Sequence, residues 1–146
     1  PIWVSWTLKD KGSKTLRSGE SLTEAHAALK GQPVSAFLVN CCSPESVSAA
    51  IPELVSLGDC PVGGLANGFA EVPADWVSSD GIKALGRRED INEISYVSHV
   101  KNWLASGARI VGGCCDIGPK YIAHVRKMLD EHWFPLTSRQ NTRVIS

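Results

Sequence analysis

The sequence shows no excess of either charge and no long apolar run. Lys plus Arg equals Asp plus Glu at 15 each, so the formal net charge is zero. Without a basic patch, nucleic acid and anionic membrane surfaces are not expected partners. No apolar run approaches the roughly 20 residues that a membrane-spanning helix needs. The 43% hydrophobic and 21% charged residues instead predict a packed, ordered domain.

The start of the chain lacks an initiator Met and any signal-peptide pattern. Residues Pro1 to Ser5 lie inside an apolar run, as if the chain were cut just before a strand. We therefore expect residues 1–146 to form part of a larger domain.

Five cysteines are present, at positions 41, 42, 60, 114 and 115. The odd count and the two adjacent pairs do not match the evenly spaced disulfide frameworks of small secreted domains. A reducing, cytoplasmic location is the better expectation. There, cysteines serve more often as metal ligands, catalytic groups or core residues.

The apolar pattern alternates between predicted strands and predicted helices. Helix starts are marked by a capping box at Ser21 to Glu24 and by Ser43-Pro44 and Gly118-Pro119, and apolar residues recur at helical spacing from Ile91 to Leu104. The predicted strands cover residues 2–8, 34–39, 61–66 and 108–111. We expect a long connection from about residue 67 to residue 88, and an irregular tail after Trp133.

Four consecutive strand–helix units predict a parallel sheet with right-handed crossovers. The candidate α/β architectures are an open sheet and a (β/α)₈ TIM barrel. A full barrel needs about 250 residues, so four units would be half of one.

The cysteine pairs follow the second and fourth predicted strands, at the edge where barrel active sites are built. Three thiolates on a four-coordinate zinc leave one position for a substrate thiol, which would be held as the nucleophilic thiolate. Gly112 and Gly113 are predicted to free the backbone so that two adjacent cysteines reach one metal. Spacing alone leaves metal binding and structural roles both open. Cys42 and Cys60 are expected to be structural.

Val39-Asn40-Cys41 and Gly112-Gly113-Cys114-Cys115 resemble the zinc-binding motifs of the homocysteine S-methyltransferase family. The resemblance runs from the strand with Ser5-Trp6-Thr7 to the helix after Gly118-Pro119. It implies the C-terminal half of a (β/α)₈ barrel, strands five to eight, with Zn²⁺ held by Cys41, Cys114 and Cys115. It also implies transfer of a methyl group from an activated donor to homocysteine, giving methionine. No residue is expected to act as a general base.

The same resemblance extends to candidate substrate-binding residues. Asn67-Gly68 resembles the family's Pro-Asn-x-Gly turn, with Ala66 in place of the proline. Asn67 is therefore either a substrate-binding residue or an ordinary turn asparagine. Ser5 and Thr7 are expected to line the pocket or to be ordinary strand residues. The family's Asp-Gly motif on the first barrel strand is absent, together with the first half-barrel.

Two other functions remain open on the sequence alone. The chain would be an inactive zinc-binding fragment if it cannot complete its active site without the missing half-barrel. Its exposed sheet edges would then favour self-association. It would be a thiol redox protein if the adjacent cysteines formed disulfides. The sequence does not identify the methyl donor.

Overall fold

The computed structural model describes residues 1–58, 60–71, 85–133 and 143–145. Its centre is a parallel sheet in which each strand lies next to the following one in the chain. The strands are β1 (Ile2–Thr7), β2 (Val34–Asn40), β3 (Val62–Ala66), β4 (Ile110–Gly113) and β5 (Arg143–Ile145). The predicted α/β fold with a parallel sheet is confirmed, and the sequential strand order is consistent with part of a barrel.

Four helices connect the strands, and their starts agree with the capping signals in the sequence. Ser21 forms a capping box with Glu24, and Ser43 caps the next helix through Ser46 N. The third helix begins after Asn92, and the fourth has Pro119 in its first turn. These helices are α1 (Leu22–Ala27), α2 (Pro44–Leu57), α3 (Glu93–Ala105) and α4 (Pro119–Met128). None in the described part of the chain is long and apolar enough to cross a membrane.

The C-terminal tail differs from the prediction. A π-helical turn, Leu129–Trp133, extends α4, and Arg143–Ile145 forms β5 beside β4. The prediction of an irregular tail is therefore wrong over 143–145. Three residues carry too little periodic pattern to be recognised as a strand, and their pairing depends on an edge that only the folded sheet offers.

The two faces of the sheet bury different residues, because side chains alternate along a strand. Phe37 and Val39 of β2 pack outward in the large cluster under the helices. Ala36 and Leu38 face inward, where they form a smaller cluster with Ile110. The alternation places Asn40 on the inner face at the end of β2, next to the cysteine that follows it.

Helix α2 packs closely against β3 because β3 carries two glycines. A Cβ on Gly64 would lie 2.2 Å from Cγ1 of Val47, and a Cβ on Gly63 would lie 2.4 Å from the carbonyl oxygen of Ile110. Real Cβ atoms do not approach other atoms so closely. Glycine is therefore required at both positions, because neighbouring atoms lie too close to the backbone to leave room for a side chain. The first contact joins β3 to α2, and the second joins β3 to β4, whose C-terminal end leads into the segment with Cys114 and Cys115.

Candidate metal centre

Three of the five cysteines meet at the carboxyl edge of the sheet. Cys41 follows β2, and Cys114 and Cys115 follow β4. Their three Sγ atoms lie within 4.8 Å of one another. Cys115 Sγ is 3.9 Å from Cys41 Sγ and 3.8 Å from Cys114 Sγ. In the part of the chain that the structure describes, no other group of three His, Cys, Asp or Glu side chains could hold a metal ion.

The spacing of these sulfurs fits a zinc ion. Zinc–sulfur bonds of about 2.3 Å in a tetrahedron place two sulfurs about 3.8 Å apart. The pairs at 3.8 and 3.9 Å match that value, and the third pair, Cys41 and Cys114, lies within 4.8 Å. All three cysteines are partly buried, neither enclosed in the core nor on the open surface. A trithiolate of this kind leaves the fourth tetrahedral position open to a ligand from outside.

The end of β3 holds the two cysteine segments in place. It lies between β2 and β4 in the sheet and continues the backbone ladder beyond the last strand residue on both sides. Four N–H···O=C hydrogen bonds of 2.9–3.0 Å result: Cys41 to Leu65, Asn67 to Cys42, Cys114 to Ala66, and Gly68 to Cys115. This ladder explains how residues more than 70 positions apart reach one site.

The glycines before Cys114 act by their small size. Neither Gly112 nor Gly113 has a positive φ, so the predicted use of backbone freedom is wrong for both. A Cβ on Gly113 would instead lie 2.4 Å from Cγ2 of Ile117, which packs beneath the turn. The left-handed conformations occur at Cys41, with φ 51°, and at Asp116, with φ 66°. Few residues other than glycine adopt this region, and such outliers often mark functional sites.

The thiols interact electrostatically. A hydrogen bond with Cys41 lowers the pKa of Cys114 from 9.0 to about 5. The same bond, together with burial, raises the pKa of Cys41, and burial beside the negative Cys114 raises the pKa of Cys115. The thiols therefore favour ionisation of Cys114 and disfavour ionisation of its two neighbours. A bound divalent cation would favour ionisation of all three thiols, because thiolates are the metal-binding form of cysteine.

The other two cysteines lie outside the cluster. Cys42 is fully buried in the outer core, and burial raises its pKa to about 12. Cys60 packs against the same core, and its Sγ donates to the carbonyl oxygen of Val34 at 3.4 Å. Both positions are those expected of structural cysteines.

The structure places the predicted substrate residues around the same edge. Asn67 is 1% exposed; its Oδ1 accepts from Phe69 N at 3.2 Å, while its Nδ2 has no hydrogen-bond partner among the described residues. Ser5 is exposed, and its hydroxyl donates to Asn40 Oδ1 at 2.8 Å. Thr7 is partly buried and lies opposite Asn40 in the register of β1 and β2.

Two arginines beside the site had no predicted role. Arg87 lies 2.9 Å from Asp116, the residue after Cys115. Arg88 donates two hydrogen bonds, of 2.7 and 2.8 Å, to Glu45 in the first turn of α2. These pairs connect the described end of the long connection to both cysteine segments. The interior of that connection, residues 72–84, lies outside the described part of the chain.

These observations define a class of protein. It is an α/β chain with a parallel, sequentially ordered sheet that gathers three thiols at its carboxyl edge. Such an edge is where α/β folds build their active sites.

Comparison with known proteins identifies the family. A family profile described as homocysteine S-methyltransferase matches residues 1–129. Homocysteine S-methyltransferase 3 of Arabidopsis thaliana is 33% identical over 132 residues, which are 90% of this chain and 36% of that protein. Selenocysteine methyltransferase of Astragalus bisulcatus is 29% identical over 140 residues, which are 94% of this chain and 39% of that protein. The chain belongs to the homocysteine S-methyltransferase family.

A solved structure agrees with this assignment. The metallated form of the homocysteine methyltransferase MmuM from Escherichia coli superposes with a TM-score of 0.61 at 28% identity. The match covers 86% of this chain and 34% of that one. The chain therefore spans well under half the length of the relatives it matches.

Proposed function

We propose that this chain carries the metal-binding part of an enzyme that transfers a methyl group from an activated donor to the thiol of homocysteine, giving methionine. The observation that carries the proposal is the trio Cys41, Cys114 and Cys115, whose sulfur spacing suits zinc and leaves one position open. Family membership supports the reaction class.

In this proposal the three cysteines are the ligands of Zn²⁺. When bound, zinc supplies a Lewis acid that keeps a substrate thiol in its reactive thiolate form near neutral pH. The protein's part is to gather three sulfurs at fixed spacing and to keep them partly buried. No side chain is assigned as a general base.

The polar residues at the sheet edge are proposed to bind the amino-acid part of the substrate. Asn67 Nδ2 is a buried donor without a partner among the described residues, so it suits the carboxylate of an amino acid. Ser5 uses its proton for Asn40, which leaves its oxygen free to accept from the substrate ammonium. Thr7 lies beside Asn40 in the sheet and would extend the same wall.

The first test is replacement of one ligand with a matched control. Cys114→Ala should abolish both stoichiometric zinc, measured by atomic absorption, and methyl transfer to homocysteine. Cys60→Ala removes a partly buried thiol outside the cluster and should keep both. Zinc and turnover that survive in Cys114→Ala, or a wild-type chain that takes up no zinc, would contradict the proposal.

We also propose that β1 to β4 are strands five to eight of the barrel and that the chain needs the complementary half for full activity. Among the strands that the structure describes, β1 lies at one edge of the sheet, and its Ile2 is 53% exposed. Unpaired strand edges attract other strands, so pairing with a first half-barrel, or self-association in its absence, would cover this edge. Light scattering measures the molecular mass of the same zinc-loaded preparation with and without the first half-barrel of a relative. A self-associated fragment gives a multiple of the chain's own mass in both samples, whereas a chain completed by its partner gives the mass of a one-to-one complex when the first half is added.

The thiol redox alternative predicts a different thiol count. All five cysteines are free in the structure. If zinc protects three of them, reagent-accessible thiols should rise on chelation without a reductant. Disulfides would appear only after reduction. The metal proposal also implies a reducing, cytoplasmic location, because thiolate ligands must stay unoxidised.

A further inference from the structure

The turn that carries Cys114 and Cys115 has an uncommon backbone conformation. Ile117 N donates to the carbonyl oxygen of Cys114 at 3.1 Å, which closes a four-residue turn with Cys115 and Asp116 in the middle. Asp116 has φ 66°. A positive φ at the third position of a β-turn usually calls for glycine or asparagine. An aspartate at this position therefore depends on contacts that hold it there.

The Asp116 carboxylate contacts Arg87 and Gly68. Arg87 Nε lies 2.9 Å from Oδ2 of Asp116. The same oxygen packs against Gly68, where a Cβ would lie only 2.8 Å from it. Gly68 N in turn donates to the carbonyl oxygen of Cys115 at 3.0 Å. The Arg87–Asp116 pair thus lies beside the backbone that positions Cys115.

Arg87 is itself held in place, although its side chain is 61% exposed. Its Nη2 donates at 3.0 Å to the hydroxyl of Tyr121, which is buried and donates to the carbonyl oxygen of Ile91 at 2.9 Å. Its backbone pairs with Phe69 in an antiparallel bridge. An exposed ion pair usually contributes little, because two mobile side chains must be ordered. Here Tyr121 already orders the guanidinium, so more of the attraction is available to hold Asp116.

We propose that Arg87 is a positioning residue for the thiol cluster: it holds Asp116 in the left-handed conformation and so preorganises the turn that carries Cys115 for the metal ion. The inference rests on the proposed metal site and deepens it. A ligand that binds one of several conformations loses apparent affinity in proportion to the fraction of molecules in that conformation. Loss of an exposed ion pair should therefore weaken zinc binding by about 2- to 5-fold.

The test uses the whole chain and measures zinc affinity by competition with a chelator, so it does not depend on turnover. Arg87→Met removes the charge and keeps much of the apolar length of the side chain. Arg126→Met is the matched control, because Arg126 is 60% exposed and forms an ion pair with Asp130. Arg87→Lys keeps the positive charge. Circular dichroism checks the fold of each variant, and Arg87→Gln replaces Arg87→Met if the latter does not fold.

Arg87→Met should weaken zinc binding by about 2- to 5-fold, Arg87→Lys should lose less, and Arg126→Met should match the wild type. In about 1 M salt, where the Debye length is about 3 Å, the difference between Arg87→Met and the wild type should shrink. A defect that only reflected lost packing would persist in salt, and that result would overturn the proposal.

A second substitution tests whether Arg87 acts through Asp116. Asp116→Gly supplies a residue that adopts a positive φ without support. In that background, Arg87→Met should weaken zinc binding no further. An equal loss in both backgrounds would show that Arg87 does not act through Asp116 and would overturn the inference.

The same measurements separate this inference from the proposed function. If the wild type binds zinc and Arg87→Met matches Arg126→Met, the positioning role is overturned and the metal site stands. If the wild type binds no zinc, the proposed function fails, and the inference fails with it.

Discussion

Replacing Gly64 with Ala should push helix α2 away from the sheet. The new Cβ would lie 2.2 Å from Val47 Cγ1, whereas non-bonded carbons prefer about 3.5–4.0 Å. Val47 is fully buried, so it has no solvent space to rotate into. Overpacking of this kind costs about 1–3 kcal/mol of unfolding free energy. Because α2 follows Cys41 and Cys42 directly, its displacement should also weaken zinc binding.

A double-mutant cycle tests the contact itself. Val47→Ala alone should cost about 2–3 kcal/mol, from two buried methyl groups and the cavity they leave. Of the three atoms nearest to the new Cβ, the double variant keeps only Val47 Cβ, at 3.6 Å, which is ordinary contact. The double variant should therefore be more stable than the sum of the single effects predicts, by about 1–3 kcal/mol.

The assay is urea unfolding of the four proteins, with chelator competition for zinc on the same samples. Gly58→Ala is the matched control, because its φ is extended and a Cβ there would meet only His26 Nε2 at 3.7 Å. The reasoning is refuted if Gly64→Ala is no less stable than Gly58→Ala, or if the two single effects simply add.

Two further predictions concern the supports of the site. Tyr96→Phe removes a buried hydroxyl that donates to the carbonyl oxygen of Gly112 at 2.7 Å, and it should cost about 1–3 kcal/mol in urea unfolding; an unchanged midpoint would show that the bond has no net value. A hydrogen bond from Arg88 lowers the pKa of Glu45 in the folded state below its usual 4.5. Between the folded and unfolded pKa values the unfolded state binds more protons, so the pair stabilises the fold above pH 4.5 and this stabilisation is lost as the pH falls through the folded pKa. Unfolding midpoints measured from about pH 3 to 7 should therefore fall less steeply in acid for Arg88→Met, and parallel curves would contradict the assignment.

Much of the fold follows from local sequence signals. The capping residues Ser21 and Ser43 and the apolar run of β2 predict their elements because the relevant contacts lie within a few residues. The positions of Cys41 and Cys114 just after strands predict a shared edge, since parallel strands end on the same side. The interior of the long connection could not be assessed in the same way, because it lies outside the described residues.

The sequence by itself determined the order of elements from β1 to α4, the parallel sheet and the edge at which the cysteines stand. Only the tertiary structure decided that Cys41 takes the left-handed conformation, that Gly113 is small to make room for Ile117, and that Asn40 accepts a hydrogen bond from Ser5. The physical reason is the range of the interactions. Helix caps and strand periodicity are set by neighbouring residues, whereas these contacts depend on which distant side chains the folded sheet brings within a few ångströms of one another.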